Sequence, residues 1–144
     1  MGRRIQVEVD GVRATFALLE EWAPKTSSIL WDTLPLENLV LRHGKLSGDA
    51  CFVDVEHPNF KQLPARNELP VTSIYKGYMV AVLHPEHSST ELLISYGLGE
   101  YRWPDGRRYV TPVAEIEGDG SPLYDVLQRT WTEGQKKITL RRAS

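Results

Sequence analysis

Leu18-Leu19-Glu20-Glu21-Trp22-Ala23-Pro24-Lys25-Thr26, continued by Ser27-Ser28-Ile29-Leu30-Trp31, is the stretch whose reading decides the fold. The leucines close a strand, the glutamates make a short acidic turn, and a helix opens on Pro24. Proline suits the first helical position, where its missing N–H would have had no partner. Thr26, Ile29, Leu30, Thr33 and Leu34 return to one side of this helix, which is therefore expected to be buried. Pro35 ends it, because the residue before a proline avoids the helical region. Trp31 lies beside the buried stripe, at a core edge or on a pocket wall.

Upstream, Ile5, Val7 and Val9 alternate with polar residues, the pattern of a half-buried strand. Asp10-Gly11 signals a two-residue hairpin turn into a second strand over 12–19. Downstream, 39–43 and 50–56 read as strands joined by the turn at 44–49. Residues 57–70 carry three prolines and little periodicity, which marks them as a lid or rim loop. A short strand over 71–74 and a turn at Lys76-Gly77 follow. The next strands cover 78–83 and 91–96, with a polar loop between them. Gly97 and Gly99 are expected to end the second of these. Trp103-Pro104-Asp105-Gly106 is a turn, and 109–116 is a strand in which Pro112 implies an edge or a bulge.

Ser121-Pro122 reads as a helix start, a hydroxyl cap followed by proline. Leu123, Val126, Leu127, Thr130 and Trp131 recur at helical spacing, and Gly134 stops the helix. A last strand covers 137–141. The total is about eight short strands and two helices, without internal repeat or linker. This predicts a mainly β fold with two helices, a closed β-barrel capped by helices, in which 1–144 is a single domain.

The order of strand, acidic turn and Ala23-Pro24-Lys25-Thr26, together with the C-terminal helix and strand, resembles the cyclophilins, which have such a barrel. The resemblance is closer to small bacterial cyclophilin-like families of uncharacterised function. It rests on Trp31-Asp32-Thr33-Leu34-Pro35 and on Thr90-Glu91-Leu92-Leu93-Ile94-Ser95-Tyr96-Gly97, and covers roughly 5–140. Prolyl-isomerase cyclophilins carry Phe-His-Arg on the strand after the first helix, and then Gln-Gly-Gly-Asp. Here the strand reads Val40-Leu41-Arg42-His43 and the later segment Gly48-Asp49-Ala50-Cys51-Phe52-Val53-Asp54. Only the arginine is shared, so the resemblance implies the fold and little isomerase activity.

A net charge of −2 supplies no field to recruit nucleic acid or anionic lipid. The one cysteine, Cys51, excludes an internal disulfide and reads as a buried thiol. No apolar run is long enough for a membrane span, and no signal peptide is evident, so a cytoplasmic location is expected. His84 and His87 flank a proline in a polar loop, which suits solvated residues better than a metal site. No metal and no cofactor are indicated, and no nucleophile elbow or phosphate-cradling loop occurs.

The candidate ligand-binding residues are Arg42, Glu91, Tyr96 and Trp31. Arg42 interrupts an apolar strand, whereas Glu91 opens and Tyr96 closes the most hydrophobic one. An Arg42–Glu91 pair would serve as a brace or as the polar floor of a pocket; two outward-facing strand charges are the plain alternative. With aromatic walls, such a pocket suits a small organic acid, an amide or a peptide end, because arginine grips carboxylates with a two-pronged fork. The first reading is therefore a protein that binds a small molecule or peptide at the side of the barrel. The alternatives are an enzyme, either a divergent prolyl isomerase or one acting on a small amide or acid, and an oligomeric accessory protein. No catalytic residue is assigned, and a homo-oligomer is compatible with the sequence.

Overall fold

β1 (Arg4–Val9) and β2 (Val12–Leu18) form the expected hairpin, with Ile5, Val7 and Val9 fully buried. Asp10 and Gly11 both take positive φ, 49° and 76°, as the two-residue turn requires. The computed structural model describes residues 2–82 and 89–143. α1 spans Pro24–Thr33, and Leu34 beyond it is already extended at ψ 146°. Thr26, Leu30, Thr33 and Leu34 are buried as the helical spacing demands, while Ile29 packs at the core edge.

β3 (Leu36–His43), β4 (Gly48–Glu56), β6 (Tyr78–Val82), β7 (Ser89–Glu100), β10 (Thr111–Ile116) and β11 (Lys136–Arg142) complete the barrel. Its antiparallel order is β4-β3-β11-β1-β2-β10-β6-β7, and β7 pairs back onto β4. Eight strands thus close among the described residues. A short β5 (Ser73–Ile74) adds to the β7 edge, and β8 (Arg102–Trp103) with β9 (Gly106–Arg107) makes a separate ribbon. Closure leaves the barrel strands without a free edge. Pro112 sits at a register shift between β10 and β6, the bulge that its missing N–H calls for.

Two expectations about β7 and the second helix are corrected. β7 does not end at Gly97 but runs through Gly99 to Glu100. Gly99 lies opposite Gly48, and a Cβ there would sit 3.0 Å from the Ser47 carbonyl oxygen, so glycine permits the close approach of β4. α2 (Ser121–Glu133) is capped by Asp119, whose Oδ1 accepts from the Ser121 N–H at 3.0 Å and its hydroxyl at 2.6 Å. Leu123, Val126, Leu127 and Thr130 are buried, but Trp131 is 63% exposed. It overhangs the barrel mouth with its ring centroid 4.6 Å from that of His43.

Residues 57–70, expected as a lid or rim loop, are anchored to the rest of the chain. A 3-10 turn over Pro58–Gln62 brings Phe60 into the core, and Leu63 follows it. Burying each stabilises by roughly 1.5–3 kcal/mol. Asn59 Nδ2 donates to Thr33 Oγ1 at 3.2 Å. The Glu68 carboxylate accepts from Thr26 N–H (2.6 Å), Thr26 hydroxyl (2.7 Å) and Lys25 N–H (3.1 Å) at the start of α1. The segment is a strap, held on the main core by Phe60 and Leu63 and on α1 by Asn59 and Glu68.

Strand alternation sorts the apolar residues into two groups. Leu41, Cys51, Val53, Met79, Leu92 and Ile94 belong to the main core inside the barrel. Val80, Val82 and Leu93 point to the outer face, where Tyr101, Val110 and Ile74 cover them. β5 and the chain from β7 to β10 thus fold over the outside of the barrel, and the candidate site lies at the margin of that cover.

Candidate functional site

Arg42 follows the fully buried Leu41 on β3, so period-two geometry turns it outward. It stands across from Phe52 on β4, which stands across from Leu93 on β7. Glu91, two residues before Leu93, shares the same outer face. Arg42, Phe52, Leu93 and Glu91 therefore line one groove of about 380 Å³, together with Tyr101 and Trp103 from the cover. The turn between β3 and β4 forms its other wall.

The arginine and the glutamate share the groove but do not pair: no ion pair joins them among the described residues. Glu91 Oε2 instead accepts from the Tyr101 hydroxyl at 2.7 Å, and Tyr101 Oη accepts from Trp103 Nε1 at 2.8 Å. Burial raises the Tyr101 pKa, and the Glu91 charge raises it further against the opposing Trp103 bond, so the phenol stays a neutral donor. Arg108 covers the Trp103 ring at 4.3 Å and also bonds Asp105. Arg102 and Arg107 lie 3.7 and 3.6 Å from Glu100. Arg42 has no hydrogen bond or ion pair among the described residues. It is exposed and lines the apolar floor made by Phe52 and Leu93.

Tyr96 is placed elsewhere. It lines a neighbouring groove of about 530 Å³ between the β3–β4 turn and α2. Its hydroxyl lies 2.7 Å from His43 Nε2, while His43 Nδ1 lies 2.7 Å from the Gly44 carbonyl oxygen. A carbonyl only accepts, so Nδ1 carries the proton and Tyr96 donates to Nε2 when the ring is neutral. Burial, then the Asp49 charge, raise the Tyr96 pKa. His43 lines both grooves and links them.

Trp31 lines neither groove. Its ring lies 4.7 Å from the Arg142 guanidinium and 5.3 Å from that of Arg3, and its carbonyl accepts from Arg142 at 3.0 and 3.2 Å. It braces α1 against the β1 and β11 ends. Of the four sequence candidates, the structure thus places Arg42 and Glu91 on one groove, Tyr96 on the neighbouring one and Trp31 on neither. His43, Phe52, Tyr101 and Trp103 line the Arg42 groove as well. The signal for His43 was its adjacency to Arg42; for the others, only strand register reveals it.

No three His, Cys, Asp or Glu side chains gather as a metal ion would need among the described residues. His84 and His87 lie outside those residues. No helix of the described chain is long and apolar enough to cross a membrane.

Residues 5–142 match a family described as a protein of unknown function (DUF3830). No curated protein sequence matches the chain. Among solved structures, the chain is similar to McbB in complex with tryptophan, with a TM-score of 0.75 and 20% identity. That likeness covers 97% of this chain and 45% of McbB, so the chain spans less than half of McbB's length. It is also similar to the hypothetical protein AF2241 from Archaeoglobus fulgidus, with a TM-score of 0.61, 15% identity and 99% and 95% of the two chains covered. A Cryptosporidium parvum cyclophilin-type peptidyl-prolyl cis-trans isomerase, solved in the presence of the dipeptide Ala-Pro, gives a TM-score of 0.59 at 10% identity. There the likeness covers 98% of this chain and 99% of the isomerase. At these identities the likeness is one of fold, the cyclophilin-like barrel.

Proposed function

This chain belongs to the DUF3830 family and has a cyclophilin-like barrel, and we propose that its outer groove binds a small carboxylate-bearing ligand, an amino acid or a peptide end. One observation carries this reading: Arg42 lines an apolar groove without an ion pair among the described residues, while the neighbouring arginines of the cover are engaged. A guanidinium in that setting offers a fork for a carboxylate. Phe52, Leu93 and Trp103 offer apolar surface to the rest of the ligand. Glu91, on the same groove, suits an amine or amide N–H. McbB, which shares the fold, is described in complex with tryptophan, which makes that amino acid the first probe.

The test is calorimetric titration with tryptophan, with tryptamine, which lacks the carboxylate, and with Ala-Pro. The carboxylate compounds should saturate and tryptamine should not. Arg42→Lys should weaken binding by about tenfold or more, because a charged fork contact is worth roughly 1.5–3 kcal/mol. Equal binding of tryptamine, or full binding by Arg42→Ala, sinks the reading.

A second reading rests on the same arginine beside an apolar floor, an arrangement that also suits an X-Pro peptide. It makes the chain a weak prolyl isomerase.

A further inference from the structure

A separate hollow of about 370 Å³ opens on the outer face of β6 and β10 and shares no lining residue with the Arg42 groove. Three aromatic side chains from two segments of the chain line it. Trp22 comes from the acidic turn before α1, where its N–H bonds the Leu19 carbonyl at 3.2 Å. Tyr75 and Tyr78 are the two ends of the tight turn after β5, closed by the Tyr78 N–H to the Tyr75 carbonyl at 3.0 Å. Tyr78 is also the direct cross-strand neighbour of Glu115. Leu19, Leu69, Val71, Val80 and Pro112 supply the rest of the apolar lining.

Among the described residues, Glu115 is the one charged residue in that lining, and no lysine or arginine contributes to it. Trp22 and Tyr75 remain 63% and 61% exposed, although both are large aromatic side chains. Aromatic ring faces carry negative partial charge, and a carboxylate adds to it. Such a hollow repels anions. A small inorganic cation would lose its water shell for a single carboxylate. A cation whose charge is spread over methyl groups loses little on desolvation and gains from every ring face.

We propose that this hollow is a binding site for a small organic ammonium compound, held over the faces of Trp22, Tyr75 and Tyr78 and by the charge of Glu115. The size of the hollow is that of small-ligand sites in general. The site is independent of the carboxylate groove and stands or falls without it.

Calorimetric titration of the full chain with choline, and with its neutral carbon analogue bearing a tert-butyl group in place of the trimethylammonium, tests this. Choline should saturate at millimolar concentration or below, and the analogue should bind at least about tenfold more weakly. Trp22→Ala and Tyr75→Ala alter exposed side chains, so both variants should keep the parent's unfolding midpoint and lose choline binding. Glu115→Gln should weaken choline several-fold and leave the analogue unchanged. Equal binding of the two compounds, absence of saturation by choline, or undiminished binding by Trp22→Ala overturns the proposal.

Discussion

The Tyr101 hydroxyl donates to Glu91 Oε2 across 2.7 Å and so pins the cover to the barrel wall. Tyr101 is 4% exposed and packs on Val80, Val82 and Leu93, while its oxygen also serves Trp103. One phenol therefore sets both the carboxylate and the indole that border the groove.

Tyr101→Phe keeps the ring and removes the oxygen. Trp103 then loses its acceptor and Glu91 a donor. The expected cost is about 1–3 kcal/mol, the range for leaving polar partners unmet. Urea unfolding would measure it. A loss below the error of that measurement would show that water replaces the phenol freely.

Arg42 is exposed and makes no ion pair among the described residues, so its removal should leave stability alone. Arg42→Leu is expected to shift unfolding by no more than about 0.5 kcal/mol, as for other surface changes. Any effect of this position should therefore appear in ligand binding. A clear destabilisation would mean that the arginine is structural.

Prolyl isomerase activity should be weak. The strand offers Leu41 where prolyl isomerases carry the histidine before the arginine, and Gln-Gly-Gly-Asp is absent. NMR exchange measurements on Ala-Pro peptides provide the check. Turnover comparable to a cyclophilin, abolished by Arg42→Ala, would make the second reading the first.

Glu68 links stability to pH. Burial raises its carboxyl pKa, but the bonds from Thr26 and Lys25 outweigh this and hold it below its ordinary 4.5. Its folded pKa thus lies below its unfolded one. The stabilisation is fully present above the unfolded value and fades as pH falls through the folded one. Glu68→Ala should cost about 1 kcal/mol at neutral pH, as for a lost helix cap. It should also flatten the acid limb of the stability profile. A variant with an unaltered acid limb would remove Glu68 from the account.

Cys51 should be inert while the barrel is closed. Burial pushes its thiol up to about 11, against the opposing bond from Thr130. Its Sγ donates to the Leu127 carbonyl at 3.3 Å. Thiol-reactive probes should label it slowly in buffer and rapidly in urea. Rapid labelling in buffer would show that α2 lifts from the β3–β4 side of the barrel.

The sequence by itself determined the elements and the kind of barrel they make. Alternation at Ile5, Val7 and Val9, the Asp10-Gly11 turn and the helical stripe of Leu123 to Thr130 are local patterns, set by backbone geometry over a few residues. They also told which strand residues face outward once one buried neighbour was identified, as Leu41 does for Arg42. Only the tertiary structure decided which outward residues meet. Arg42, Phe52 and Leu93 stand in one row because β3 pairs β4 and β4 pairs β7, a closure between segments some fifty residues apart. Tyr96 went to His43 because the two meet at the barrel mouth, and Trp31 went to Arg142 because α1 lies against the strand ends. The paired strap at Glu68 and the cover at Tyr101 are likewise long-range contacts. Register across a sheet is a property of several strands at once, and no single stretch of chain encodes it.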